Sequence, residues 1–90
     1  MATYPEAAHK LVASCDSYLG GVASLAQTKS AIWDAAQQIV LVDERELRDF
    51  LQAAEGRLDL IEHTTDAPSV FQATSLVVRE VRVRMLTYLA

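Results

Sequence analysis

The chain predicts an all-α fold, a compact bundle of about four antiparallel helices in a single domain over residues 1–90. Two observations carry this reading. Apolar residues recur at three- and four-residue spacing along nearly the whole length, the period of a helix with one buried face. Glycine and proline are few, three and two, and apart from Gly56 they fall where the periodic runs begin or end. An apolar content of 51% suits a folded domain. A chain of this size buries only about 60–65% of its extended surface, so good packing or self-association has to support it.

The first helix is expected over 4–19. Thr3 and Glu6 have the spacing of a reciprocal capping box, and Pro5 sits in the first turn, where its missing N–H costs little. Tyr4, Ala8, Leu11, Val12, Cys15, Tyr18 and Leu19 share one face, and Gly20-Gly21 ends the run by supplying a left-handed residue. The second helix is expected over 24–42, with Val22, Leu25, Ala26, Ile32, Trp33, Ala36, Ile39 and Val40 as its apolar stripe. Its tail "IVLV" has strand-like composition but no partner flanked by turns, so it is assigned to the helix.

The third helix, over 44–63, has the clearest pattern. Asp43 and Glu46 are spaced as a second reciprocal cap, and Leu47, Phe50, Leu51, Ala54, Leu58 and Ile61 repeat at helical intervals. Gly56 interrupts this run, at about 1 kcal/mol relative to alanine, and marks either a close helix crossing or a bend. The loop "HTTDAP" follows, with Asp66 as the cap of the last helix, over 67–89. The stretch "VREVRVRMLTYL" (78–89) alternates like a strand from Val81 to Met85, but the alternation fails at Leu86. Phe71, Val78, Val81, Met85 and Tyr88 hold one helical face over a longer span, so it is read as helix. On that helix Leu76 and Val83 fall on the opposite side, with Ala90 continuing the row, and are expected to form a self-interface.

Charge narrows the function. The net charge of −4 and pI near 4.9 disfavour a dedicated nucleic-acid or acidic-membrane binder. It is also segregated. Residues 43–66 hold eight acids against three arginines, whereas Arg79, Arg82 and Arg84 outnumber Glu80 after residue 66. The acidic third helix and basic fourth helix could pair, within the bundle or across a two-fold dimer; a solvated charged face, with arginines favoured near a helix C-terminus, accounts for the same pattern. The three arginines spread around most of the helix circumference and make no single phosphate-tracking stripe.

Screens for chemistry yield no catalytic, cofactor or metal assignment. Glu6-x-x-His9 matches half of a di-iron helix motif, but His63 has Leu60 where a second glutamate would stand. Glu55, Asp59 and His63 line one face at four-residue spacing, a pattern that surface charge explains. Cys15 lies on the apolar stripe and is read as a buried, inert thiol, and its having no second cysteine fits a reducing cytoplasm. "LVASC" resembles a lipoprotein cleavage site, but Pro5, Glu6, His9 and Lys10 occupy the space an apolar leader needs. No uncharged run approaches the roughly 18 residues of a membrane-spanning helix.

These features predict a small non-enzymatic protein that binds another protein. The class expected is an inhibitor, antitoxin or immunity-type regulator from a bacterium or phage, aimed at a basic, nucleic-acid-handling target. Glu55, Asp59 and Glu62 are the candidate partner-binding acids, and Arg79, Arg82 and Arg84 the candidate basic contacts. The competing expectation is a self-assembling scaffold subunit that uses Leu76 and Val83. Nucleic-acid association through the C-terminal arginines ranks third.

Overall fold

In the computed structural model, which describes residues 3–90, the chain forms four helices: α1 (Pro5–Leu19), α2 (Leu25–Gln38), α3 (Arg45–Thr64) and α4 (Ala67–Leu89). A short 3-10 turn, Val42–Glu44, precedes α3. The helices form a ring in which α1 packs on α2 and α4, and α3 on α2 and α4; the diagonal pairs do not pack together. Antiparallel order follows from the side-chain ties. Tyr88 meets Tyr4 while Thr74 meets Tyr18, so α4 runs against α1. Glu80 meets Arg57 and Arg84 meets Phe50, so α4 also runs against α3. The segment 81–86 is helical, and the described residues contain no strand.

The expected α1, α3 and α4 agree with the structure within one or two residues, while α2 stops four residues early. Ile39 leaves the helical conformation (φ −89°, ψ 85°) yet keeps its side chain fully buried. Val40, Leu41 and Val42 then run exposed into the 3-10 turn. The β-branched Ile39, Val40 and Val42 resist helix, since each loses side-chain freedom against the preceding turn. Burying Ile39 alone anchors the connection, so helices two and three are separate. "IVLV" is neither α-helix nor strand, and its last residue opens the 3-10 turn.

Local caps differ more. The Thr3–Glu6 box does not form, because the helix starts one residue later than that pairing requires, with Tyr4 as N-cap and Pro5 first. The Tyr88 hydroxyl serves instead, accepting from the N–H groups of Thr3 (3.0 Å) and Tyr4 (2.9 Å). The Asp43–Glu46 cap is likewise absent: the 3-10 turn shifts the N-cap to Glu44, which makes no side-chain capping bond. Asp66 does occupy the N-cap of α4, but its backbone carbonyl accepts from Ser69 N–H (2.8 Å) and its side chain makes no capping bond. A complete capping box appears at α2. Ser24 Oγ accepts from Gln27 N–H, and Gln27 Oε1 accepts from Ser24 N–H. At the end of α1, Gly21 takes the left-handed conformation (φ 79°). The N–H groups of Val22 and Gly21 bond back to the carbonyls of Ser17 and Tyr18, which is a Schellman closure.

The core is one cluster drawn from every helix, with Leu11, Cys15, Ile32, Ile39, Leu51, Leu58, Val78, Val81 and Met85 essentially inaccessible. Five residues expected on apolar faces are exposed to a substantial degree: Val22, Ala26, Trp33, Val40 and Phe71. Val22 and Val40 fall in connections. Phe71 keeps one side on Tyr18, with ring centroids 5.3 Å apart. Trp33 follows Ile32 by one residue, roughly 100° around the helix, and leaves the buried stripe of Thr28, Ile32, Ala35 and Ala36. Gly56 marks no close crossing, since a Cβ there would meet open space. No helix among the described residues is long and apolar enough to cross a membrane.

Candidate functional site

Two surfaces hold the residues singled out from the sequence. The first lies along the seam of α2 and α3. Asp59 and Glu62, three apart on the exposed side of α3, converge on one ammonium. Lys29 of α2 donates to Asp59 Oδ1 (2.9 Å) and to Glu62 Oε1 (2.8 Å). Donation to Glu62 first, and then to Asp59, holds the Lys29 ammonium protonated well above the usual lysine range, and the hydrogen bond from Lys29 holds Asp59 below the ordinary carboxylate value. The His63 Nδ1–H donates to the Asp59 carbonyl (2.8 Å), because a carbonyl can only accept.

Asp59, Glu62 and His63 bring their ligand-type atoms within 4.8 Å of one another, so Glu62 and not Glu55 is the third member of that cluster. Lys29 already engages both carboxylates, and a cation bridging them would have to displace it. Glu55 sits farther along the seam. With Trp33, Asp34, Ser30, Ala26 and Lys29 it lines a shallow surface depression. The Trp33 side chain stands half exposed (50%) at its rim. Of the expected acidic triad, then, Asp59 and Glu62 are partly neutralised inside the molecule, while Glu55 makes no ion pair among the described residues.

Trp33 is the aromatic residue at this surface that the sequence places wrongly, in the core stripe of α2. A signal for it existed: with Ile32, Ala36 and Ile39 fixing the centre of the stripe, Trp33 falls on its flank. Lys29 was left outside the stripe, but its link to carboxylates 30 and 33 residues away has no local signature.

The second surface is the outer side of α4. Leu76 (62% exposed) and Val83 (59%) face outward, beside Phe50, Arg79, Glu80 and Arg84 in an open groove between α4 and α3. The three arginines take different roles. Arg82 Nε donates to Asp16 Oδ1 (2.6 Å), tying α4 to α1. The Arg84 guanidinium lies 5.0 Å from the centroid of the Phe50 ring, a cation–π contact across the α3–α4 seam. Arg79 makes no ion pair among the described residues. Within the chain, among the described residues, acids of α3 do not pair with arginines of α4. The ion pair that links the two helices has the opposite polarity, with Arg57 of α3 donating to Glu80 of α4 (2.8 Å).

The remaining chemistry-bearing residues are apart from one another. Cys15 is buried, and burial, with Asp16 adding to it, pushes its thiol up to about 12. A thiol of that kind stays protonated at neutral pH and is a poor nucleophile. His9 is exposed on α1 beside Lys10, and His63 lies on the α3 surface. Compared with protein-family models, curated proteins and solved structures, the chain has no significant match in any of the three.

Proposed function

We propose that this protein acts by binding another protein, as an inhibitor, antitoxin or immunity-type regulator of a basic, nucleic-acid-handling target in the cytoplasm of a bacterium or of a phage-infected cell. The observation that carries the reading is Trp33, held half exposed at the rim of a depression with Asp34 and Glu55. Tryptophan is the side chain most often responsible for binding energy at protein interfaces, because its large rigid ring loses little freedom when it is covered. The carboxylates of Asp34, Glu55, Asp59 and Glu62 outnumber the one Lys29 ammonium along this seam, so the face attracts a cationic surface. Lys29 keeps the Asp59 and Glu62 side chains in one geometry and lowers the cost of ordering them on association.

The test is a tagged pull-down from the native host after nuclease treatment, with wild type, Trp33→Ala and the reversal Glu55→Lys/Asp59→Lys/Glu62→Lys compared by mass spectrometry. A stoichiometric basic protein captured by wild type is the expected result, with affinity lowered about 30-fold or more by Trp33→Ala, the ~2 kcal/mol of an interface hot spot. Helical circular dichroism must remain unchanged. A partner retained equally by both variants overturns the assignment of this face. A partner lost on nuclease treatment moves the reading to nucleic-acid association. The second reading, a self-assembling subunit, draws its support from the outward Leu76 and Val83.

A further inference from the structure

The outer face of α4 carries information beyond its apolar character, because its charges are arranged in a way that distinguishes possible neighbours. Leu76 and Val83, seven residues apart, form a row along the helix, and both stay well exposed. Helical spacing of roughly 100° per residue places Arg79 and Glu80 on opposite flanks of that row, each roughly 50° from it. All four side chains line the same open groove. Arg79 has no ion-pair partner among the described residues, and Glu80 has only the exposed Arg57.

We propose that a second copy of this chain covers this face, the two α4 helices packing side by side and parallel about a two-fold axis that runs along them. A two-fold pair of helices can be parallel or antiparallel, and the flanking charges separate the two. In an antiparallel pair, like flanks meet: Arg79 confronts the partner's Arg79, and Glu80 the partner's Glu80. In a parallel pair, opposite flanks meet, so Arg79 reaches the partner's Glu80 and symmetry repeats the contact on the other side. Leu76 then lies on the partner's Leu76 and Val83 on the partner's Val83, with Ala90 next in the row. Like charges opposed across a contact are destabilising and opposite charges fix its register, so the arrangement of Arg79 and Glu80 selects the parallel pair. This contact is distinct from the proposed target-binding face: the groove beside Leu76 and Val83 shares no lining residue with the depression that holds Trp33, Asp34 and Glu55 on the α2–α3 seam.

The experiment is sedimentation equilibrium on the full chain, followed by charge exchange and cross-linking. Wild type is expected to sediment as a dimer. Leu76→Asp/Val83→Asp should lose the dimer with its circular dichroism unchanged. Arg79→Glu alone and Glu80→Arg alone should each weaken it, and the exchanged double variant Arg79→Glu/Glu80→Arg should restore it. Under mild oxidation, Leu76→Cys alone and Val83→Cys alone should each give a covalent dimer; Cys15, being buried, does not compete. A wild-type chain that sediments as a monomer up to submillimolar concentration overturns the proposal. So does a dimer that cross-links only when the two cysteine variants are mixed, which would establish the antiparallel pair. Should the aspartate variant unfold, the charge exchange decides alone: failure of the double variant to recover association overturns the parallel register.

Discussion

Tyr18 and Thr74, 56 residues apart in the chain, share a hydrogen bond of 2.5 Å inside the seam between α1 and α4. Thr74 Oγ1 also donates to the Val70 carbonyl (2.8 Å), so the proton in the shared bond belongs to Tyr18. This fixes an asymmetry. Tyr18→Phe removes a donor and leaves Thr74 still bonded to Val70, at a cost of about 1 kcal/mol. Thr74→Val strands the Tyr18 hydroxyl in a buried site, at a cost of ~1–3 kcal/mol. The double variant should recover part of that loss. Urea denaturation of the three proteins measures the difference, and equal costs for the two single variants would contradict the donor assignment.

Gly56 offers a gain in stability. It is exposed in the interior of α3, its φ is not in the left-handed region, and a Cβ there meets nothing within 4 Å. Gly56→Ala is expected to stabilise the fold by about 1 kcal/mol, chiefly by restricting the unfolded chain. A rise in the urea midpoint with an unchanged slope is the expected signature. A loss of stability would mean that the glycine is needed for a bend in α3.

The Lys29 junction should give stability a dependence on pH at both extremes. Asp59 has a lowered folded value, so its contribution is present above the ordinary carboxylate range and is lost as pH falls through the depressed value. Lys29 has a raised one, so its contribution is present below the usual 10.5 and is lost as pH rises through the folded value. The two carboxylates are exposed to water, and solvent screening at that end of the junction keeps the effect small. Lys29→Met should flatten both limbs of the melting temperature plotted against pH. If wild type and variant have parallel profiles, the junction contributes nothing measurable.

Much of the architecture could be read from the sequence, because the pattern involved is repeated many times. Leu47, Leu51, Ala54 and Leu58 recur at one helical period, and each repetition reinforces the same face. The outward placement of Leu76 and Val83 followed from the same arithmetic. Single local features were less dependable. Thr3-x-x-Glu6 and Asp43-x-x-Glu46 have the spacing of caps, but a one-residue shift of the helix start undoes such a bond. Such shifts are decided by distant groups, here the Tyr88 hydroxyl at the start of α1. Trp33 shows another limit: periodicity locates the centre of a buried stripe but not its width, and a large aromatic ring at the edge is assigned to the core too readily. The Lys29 junction depends on how α2 and α3 align, and neither helix's own sequence records that.

The α1–α4 seam has a further consequence for how the molecule assembles. The other three seams join helices that are consecutive in the chain and can form as local hairpins with short connections. The fourth closes the ring between its first and last members, and it carries a tie at each end and one between: Tyr88 with Tyr4, Tyr18 with Thr74, and Arg82 with Asp16. Loop-closure entropy grows only with the logarithm of the span, so joining residues 84 apart costs little more than joining neighbouring hairpins. The polar ties then act as a latch, setting how far α4 slides along α1 when the hairpins meet.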